Sequence, residues 1–198
     1  MSTRVYFIDF DHTLFDTDRF FRVDFKNFLL ERGIDEKLWD GSYKAVRDSG
    51  YALEKHILEA QKLGDLDLNV QDLKDILEKE FSDLSKYLYS DVIEFLKKAK
   101  ISGATLYLLS FGDSSWQHYK VESSGISDYF DETFYQEKEG IKVDKILKFR
   151  DKFDEIIYID DREQEINLVK EKIPEVKTYL IDRKNKNSAA IKFLQKIN

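Results

Sequence analysis

Three apolar runs in this 198-residue chain end abruptly in polar residues of chemically useful types. Val5–Ile8 runs into Asp9-Phe10-Asp11, Leu108-Leu109 into Ser110, and Tyr158-Ile159 into Asp160-Asp161. If the three ends meet, four carboxylates and a hydroxyl share one crevice. Such a cluster is unfavourable unless positive charge offsets it, and the ready candidates are a hard divalent cation bound through oxygens and a nearby lysine. Mg²⁺ fits best, because it needs few carboxylates, keeps several waters and leaves room for a phosphate oxygen. Each piece also has a plainer reading. Asp9 and Asp11 could end a strand or cap a helix, Asp160 and Asp161 could cap the helix that follows, and a serine after a strand is ordinary loop chemistry. The coincidence of all three favours a site.

The surrounding sequence supplies the elements that would bring these ends together. Residues 4–10 are β-branched, aromatic and apolar, the pattern of a strand covered on both faces. From about Asp18 to Lys100 apolar residues recur at spacings of three and four, predicting amphipathic helices: Phe21/Phe25/Phe28/Leu29, Leu53/Ile57/Leu58/Leu63, Val70/Leu73/Ile76/Leu77/Phe81 and Val92/Phe95/Leu96/Ala99. Breaks are expected near Gly33, Gly41, Gly50, Gly64 and Ser90. So much helix exceeds the dozen or so residues that one crossover needs, and suggests an inserted helical module.

After Gly103 strands and helices alternate: strands at 104–109, 132–135, 155–159 and 176–181, and helices at 114–124, 143–153, 163–172 and 188–197. The expected fold is a doubly wound, Rossmann-like parallel α/β sheet. Its core comprises residues 1–17 and 91–198, with a helical module at 18–90. Ligands of such sheets sit outside the carboxyl ends of the strands, where the three polar ends fall.

Composition narrows the function classes. Hydrophobic residues make up 42% and charged residues 36%, and no stretch approaches the ~20 consecutive apolar residues of a membrane span. The short apolar run before Asp9 does not resemble a secretory signal, so a cytoplasmic location is expected. The absence of cysteine excludes disulfides, thiolate metal sites and a cysteine nucleophile. A net charge of -7 has the wrong sign for a broad nucleic-acid-binding face, so nucleic acid is an unlikely partner and membrane is not expected. His12, His56 and His118 show no metal-ligand spacing.

The motifs resemble those of the haloacid dehalogenase-like superfamily. Asp9-Phe10-Asp11-His12-Thr13-Leu14 is similar to its first motif, Leu108-Leu109-Ser110 to its second and Tyr158-Ile159-Asp160-Asp161 to its fourth. Its third motif is a lysine, for which Lys138, Lys142 and Lys145 are candidates. The segment GISDYFDETFYQEKEGIKVD favours Lys142, although no proline follows it and its gap to Asp160 is short, which keeps Lys145 open.

The resemblance implies an Mg²⁺-dependent phosphatase acting on a small phosphorylated substrate, a sugar phosphate or nucleotide-like metabolite. Asp9 would be the nucleophile and Asp11 the general acid and base. Ser110, the amides of Phe111 and Gly112, and Lys142 would hold the phosphoryl group. Asp9, the carbonyl of Asp11 and Asp160 would bind the metal, with Asp161 and Glu165 assisting. Members that cleave carbon–halogen bonds differ at the second aspartate, so Asp11 points to phosphoryl transfer; a phosphomutase or phosphotransferase, or a non-catalytic binding protein of the same fold, are the alternatives. The helices at 18–90 occupy the place of the family's helical cap. Phe20, Phe21, Trp39 and Tyr43 could line a substrate pocket beneath it or form its own core. Arg19, Arg22, Arg32 and Arg47 could meet a second anionic group or lie on a solvated face.

Overall fold

The computed structural model describes residues 3–47, 51–64, 66–136, 141–184 and 191–197. Its centre is a five-stranded, wholly parallel sheet in the order β3-β2-β1-β4-β5. The strands are β1 (Arg4–Ile8), β2 (Thr105–Phe111), β3 (Glu132–Gln136), β4 (Glu155–Asp160) and β5 (Lys177–Leu180). The chain builds outward from β1 through β2 to β3, then returns to lay β4 on the other side of β1. That reversal places a crevice at the carboxyl end of the two central strands, where open α/β sheets bind ligands.

Alternation along the strands explains their nearly continuous apolar sequence. Tyr6, Ile8, Leu106, Leu108, Ile157 and Ile159 enter one buried layer, while Val5, Phe7, Tyr107, Leu109, Ile156 and Tyr158 enter the other. The second layer is closed by α8 (Ile141–Leu147) and α9 (Glu163–Lys172), through Val143, Ile146, Ile166 and Val169. The first is closed by α6 (Val92–Ile101) and α7 (Ser114–Ser123) and continues into the helices that precede β2.

Those helices begin with α1 (Thr17–Arg19), which runs through a π-helical stretch at Phe20–Phe25 into α2 (Lys26–Leu30). They continue as α3 (Glu36–Val46), α4 (Leu53–Leu63) and α5 (Val70–Glu80). Asp35 caps α3 by accepting from Leu38 N at 2.8 Å, and Asn69 caps α5 by accepting from the Gln71 and Asp72 amides. The expected break at Gly41 does not occur. Gly41 lies inside α3, where an added Cβ would stand 3.0 Å from Leu63 Cδ1, so the small residue serves close packing of α3 on α4. Gly50 lies outside the described residues.

Other boundaries also differ from the expectation. The helix expected over 143–153 ends at Leu147, and the chain proceeds through turns such as Phe149 N to Ile146 O at 2.9 Å. Of the terminal helix expected over 188–197, residues 188–190 lie outside the described residues. In the remainder Ile191 bridges to Ile181, and only Leu194–Lys196 form a short 3₁₀ turn. This tail is fastened by a buried ion pair. Arg183 Nη1 donates to both Asp91 oxygens at 2.9 and 3.0 Å, its Nε and Nη2 donate to the Thr13 carbonyl, and Leu194 N donates to Asp91 at 2.7 Å.

Of the two readings open for the aromatic residues, lining or core, the structure gives core. Phe20, Phe21 and Trp39 are buried, and Phe21 packs on Tyr43 and Tyr51, Phe20 on Phe81 and Tyr87. The arginines are engaged at the helix surfaces: Arg19 donates to the Lys86 carbonyl, Arg22 pairs with Asp18 and Arg32 with Glu80.

Candidate active site

The strand register brings the predicted residues together. Ile8 pairs with Ile159, and Asp9 N donates to the Ile159 carbonyl at 2.9 Å, so Asp9 and Asp160 leave the sheet side by side. Ser110 is the penultimate residue of β2, on the other flank of β1. Oxygens of Asp9, Asp160 and Asp161 all lie within 4.8 Å of one another.

The lysine comes from α8. Lys142 is buried, and its ammonium donates to Asp9 Oδ1 at 2.6 Å and to Asp160 Oδ2 at 2.7 Å. Lys145, one turn further on, turns outward, its ammonium 3.6 Å from the centre of the Phe134 ring. Lys138 lies outside the described residues. Asp160 also accepts from the Tyr158 hydroxyl and from Arg162 N at 2.8 Å, so its second role is to shape the turn into α9. Glu165 is buried in the first turn of that helix, outside the trio of converging carboxylates.

Asp11 takes a different environment. Its carboxylate accepts from Lys120 at 2.5 and 2.8 Å, from the Thr17 hydroxyl at 2.5 Å and from Gln117 Nε2 at 2.9 Å. The sequence reading did not single out these three donors, nor Tyr158. A signal existed for two of them: Gln117 and Lys120 are three residues apart, on one face of the helix that follows Ser110. Gly112 makes the approach of Gln117 feasible. Its φ of +138° suits glycine, and an added Cβ would lie 2.4 Å from Gln117 Nε2. Gln117 also donates to the Phe111 carbonyl at 2.5 Å, fixing the loop between Ser110 and α7.

The two environments set the acids apart. Burial lifts the Asp9 carboxyl to about 7 against the pull of Lys142. Burial, then the charges of Asp9 and Asp160, lifts Asp161 to about 8. Burial also presses on Asp11, but the Lys120 charge and the hydrogen bonds from Lys120, Thr17 and Gln117 outweigh it and hold the carboxyl below its usual range. None of the histidines joins the site as a ligand. His12 follows Asp11 with a φ of 60°, His56 is buried among aromatic rings, and His118 faces the Tyr135 ring.

The sequence matches the model of the haloacid dehalogenase-like hydrolases over residues 6–172. The chain belongs to that family. No curated protein matches it in sequence. Solved structures share the fold at low identity. A putative haloacid dehalogenase-like hydrolase of Burkholderia xenovorans is 16% identical with a TM-score of 0.72, covering 93% of this chain and 84% of its own. A putative beta-phosphoglucomutase of Thermotoga maritima is 15% identical with a TM-score of 0.61, covering 94% and 88%. The L-2-haloacid dehalogenase of Xanthobacter autotrophicus, solved with chloropropionic acid covalently bound, is 15% identical with a TM-score of 0.56, covering 94% and 80%. Among the described residues, no helix is long and apolar enough to cross a membrane.

The family's metal can be weighed against the donors present. Three carboxylates converge, all hard oxygen ligands, and Asp9 Oδ2 is buried with no hydrogen-bond partner among the described residues. A buried carboxylate oxygen left unmatched is costly unless a ligand completes it. The donor set therefore fits a divalent cation bound through oxygen.

Proposed function

We propose that this hydrolase is an Mg²⁺-dependent phosphatase, acting in the cytoplasm on a small phosphorylated metabolite such as a sugar phosphate or nucleotide-like compound. The observation that carries the reading is the division of the acids: Asp9 is held by Lys142 beside Asp160 and Asp161, while Asp11 is held apart by its own donors. A carbon–halogen bond releases halide and needs no acid. A phosphate ester releases an alkoxide that does.

Asp9 is the nucleophile, forming a bond from one carboxylate oxygen to phosphorus as the ester oxygen departs. Asp11, ionised while the site is open, takes up a proton as the anionic phosphoryl group binds beside it and passes that proton to the departing oxygen, leaving an aspartyl phosphate and a free alcohol. Asp11 then takes a proton from water as the water attacks phosphorus, which regenerates Asp9 and releases phosphate. Ser110 Oγ, buried and without a hydrogen-bond partner among the described residues, is suited to a phosphoryl oxygen, as are the amides of Phe111 and Gly112. Lys142 offsets charge shared between Asp9 and the phosphoryl group, and the Asp11 backbone carbonyl would join Asp9, Asp160 and Asp161 around the metal. When bound, Mg²⁺ supplies positive charge to the non-bridging oxygens. In this reading the helices over 18–90 are a cap that excludes water and shapes the substrate space, over a core formed by residues 1–17 and 91–198.

The test is phosphate release from an aryl phosphate, with Mg²⁺ or with chelator, by the native chain and by Asp9→Asn. Metal-dependent release that disappears in the variant supports the reading. Absence of both turnover and Mg²⁺ binding in the native chain would sink it, and isomer formation without net phosphate release would redirect it to phosphoryl transfer.

A further inference from the structure

Asp11 is tethered from outside its own loop, by groups that the proposed chemistry leaves without a role. Lys120 is the centre of that tether. Its side chain is only 4% exposed, its ammonium bonds both Asp11 oxygens, and it lies 5.4 and 6.0 Å from the ring centres of Phe10 and Phe15. Burying an ammonium is expensive unless it is well paired, and among the described residues its ion pair is with Asp11. The helix that presents it is fixed at its start, where Asp113 accepts from Trp116 N at 3.0 Å, and Gln117 on the same face adds a bond to Asp11. Thr17, at the root of the helical segment, donates its hydroxyl to Asp11 Oδ1. The Asp11 side chain nevertheless keeps 22% exposure, against 6% for Asp9. A carboxylate gripped on its inner side and open on another is aimed, not merely neutralised.

We propose that Lys120, supported by Gln117, is the positioning residue for Asp11. It directs that carboxylate toward the leaving-group oxygen and away from the Asp9–Asp160–Asp161 trio. The division of four acids between two buried lysines thereby separates the metal-binding acids from the one that moves a proton. The inference rests on the phosphatase reading for its kinetic consequence, but its geometric part stands without it.

The test uses the full chain carrying Lys120→Met, Lys120→Arg or Gln117→Leu, with Asp11→Asn as the benchmark. An alkyl phosphate needs its leaving oxygen protonated, whereas an activated aryl phosphate hardly does. Lys120→Met is expected to slow the first turnover of an alkyl phosphate by about 10²-fold, while release of the activated phenol in a single-turnover burst changes less than about threefold. Adding Asp11→Asn to Lys120→Met should cost nothing further, because both act through one group. Lys120→Arg should recover most of the alkyl rate, and Gln117→Leu should show the same selectivity at about tenfold, which keeps the test available if Lys120→Met does not fold. Equal losses on both substrates, or additive losses with Asp11→Asn, would overturn the proposal.

A crystal structure of a folded variant provides a reading independent of turnover. Asp11 rotated out of its present place supports the positioning role, and an unmoved Asp11 refutes it. If the native chain releases phosphate from neither ester, the phosphatase reading fails and this structural outcome alone decides for Lys120.

Discussion

The crevice at the strand ends and the helical layer before β2 are both buried, yet they are filled with opposite materials. In the crevice, Asp9, Lys142 and Asp160 are almost wholly enclosed, with Asp161 and Ser110 beside them. In the helical layer, Phe20, Phe25, Leu29 and Ile57 are fully enclosed, and the rings of Phe20, Phe81 and Tyr87 meet edge-on and tilted. Apolar burial stabilises the fold in proportion to area, whereas burying charge costs desolvation that pairing offsets only in part. The layer is therefore built for stability, and the crevice holds groups whose retention has to be explained by chemistry. Natural proteins break packing and charge rules at functional sites and compensate elsewhere.

The sharpest way to break this comparison is Asp9→Asn. It should lower phosphate release by roughly 10⁴-fold or more while leaving the metal-free protein as stable as the native chain or more so, because it removes a charge from a crowded pocket. A large drop in thermal stability would refute the view that the crevice acids strain the fold. In the helical layer, Phe20→Ala should cost about 3–5 kcal/mol, seen as a lower midpoint in urea with an unchanged slope. Lys142→Met tests the pairing itself. It leaves the Asp9 and Asp160 carboxyls buried without their cation and should cost about 3–5 kcal/mol at neutral pH, less when the pH is lowered and the acids take up protons.

Acidification separates the two regions by sign. Burial lowers the pKa of His56, in the helical layer, from 6.5 to about 4, a Trp39 backbone hydrogen bond opposing it. The folded state resists protonation there, so the stability associated with neutral His56 is full above pH 6.5 and is lost as the pH falls through 4, up to about 3 kcal/mol. Asp9 and Asp161 have the reverse sign. Their folded pKa values lie above the usual 3.8, so the folded state binds protons more tightly, and the chelated protein gains stability as the pH falls from about 8 toward 4. Melting temperature should thus rise as the pH falls from 8 to 6.5 and climb less steeply from 6.5 toward 4, where His56 opposes one of the two protons the acids take up. His56→Gln should remove the acid-side loss, and a flat profile from pH 8 to 6.5 would contradict the assignment for the acids. The smallest effect is that saturating Mg²⁺ should reverse the gain on acidification, since a bound cation favours the ionised trio and shifts stability by the logarithm of its saturation.

Much of the fold and of the site was legible before any coordinates. The burial of β1, β2 and β4 on both faces follows from unbroken apolar runs, and the convergence of Asp9, Ser110, Asp160 and Asp161 follows from their place directly after those runs in a parallel sheet. These are local facts, because residue type and spacing set the strand and its end. Legibility failed where a local signal competed with packing. Gly41 reads as a breaker, but α3 passes through it because α4 approaches closely. Phe20 and Trp39 read as core ahead of lining on composition, and the arrangement of the surrounding rings assigns them to the core.

The sequence by itself determined the chemical types available: paired acids, a hydroxyl, lysines at hand and no thiol. It also determined the strand ends at which they stand, since alternation and helical periodicity act over a few residues. Tertiary structure decided which lysine belongs to which acid. Lys142 lies 133 residues from Asp9, and Lys120 lies 109 residues from Asp11. The motif context favours Lys142 over Lys145 but assigns no lysine to Asp11, and only the crossovers that carry α7 and α8 to the carboxyl end of β1 bring these two ammonium groups within hydrogen-bond reach. Ionic pairing is a contact of about 3 Å between flexible side chains, so it is fixed last, by the packing of the elements that bear them.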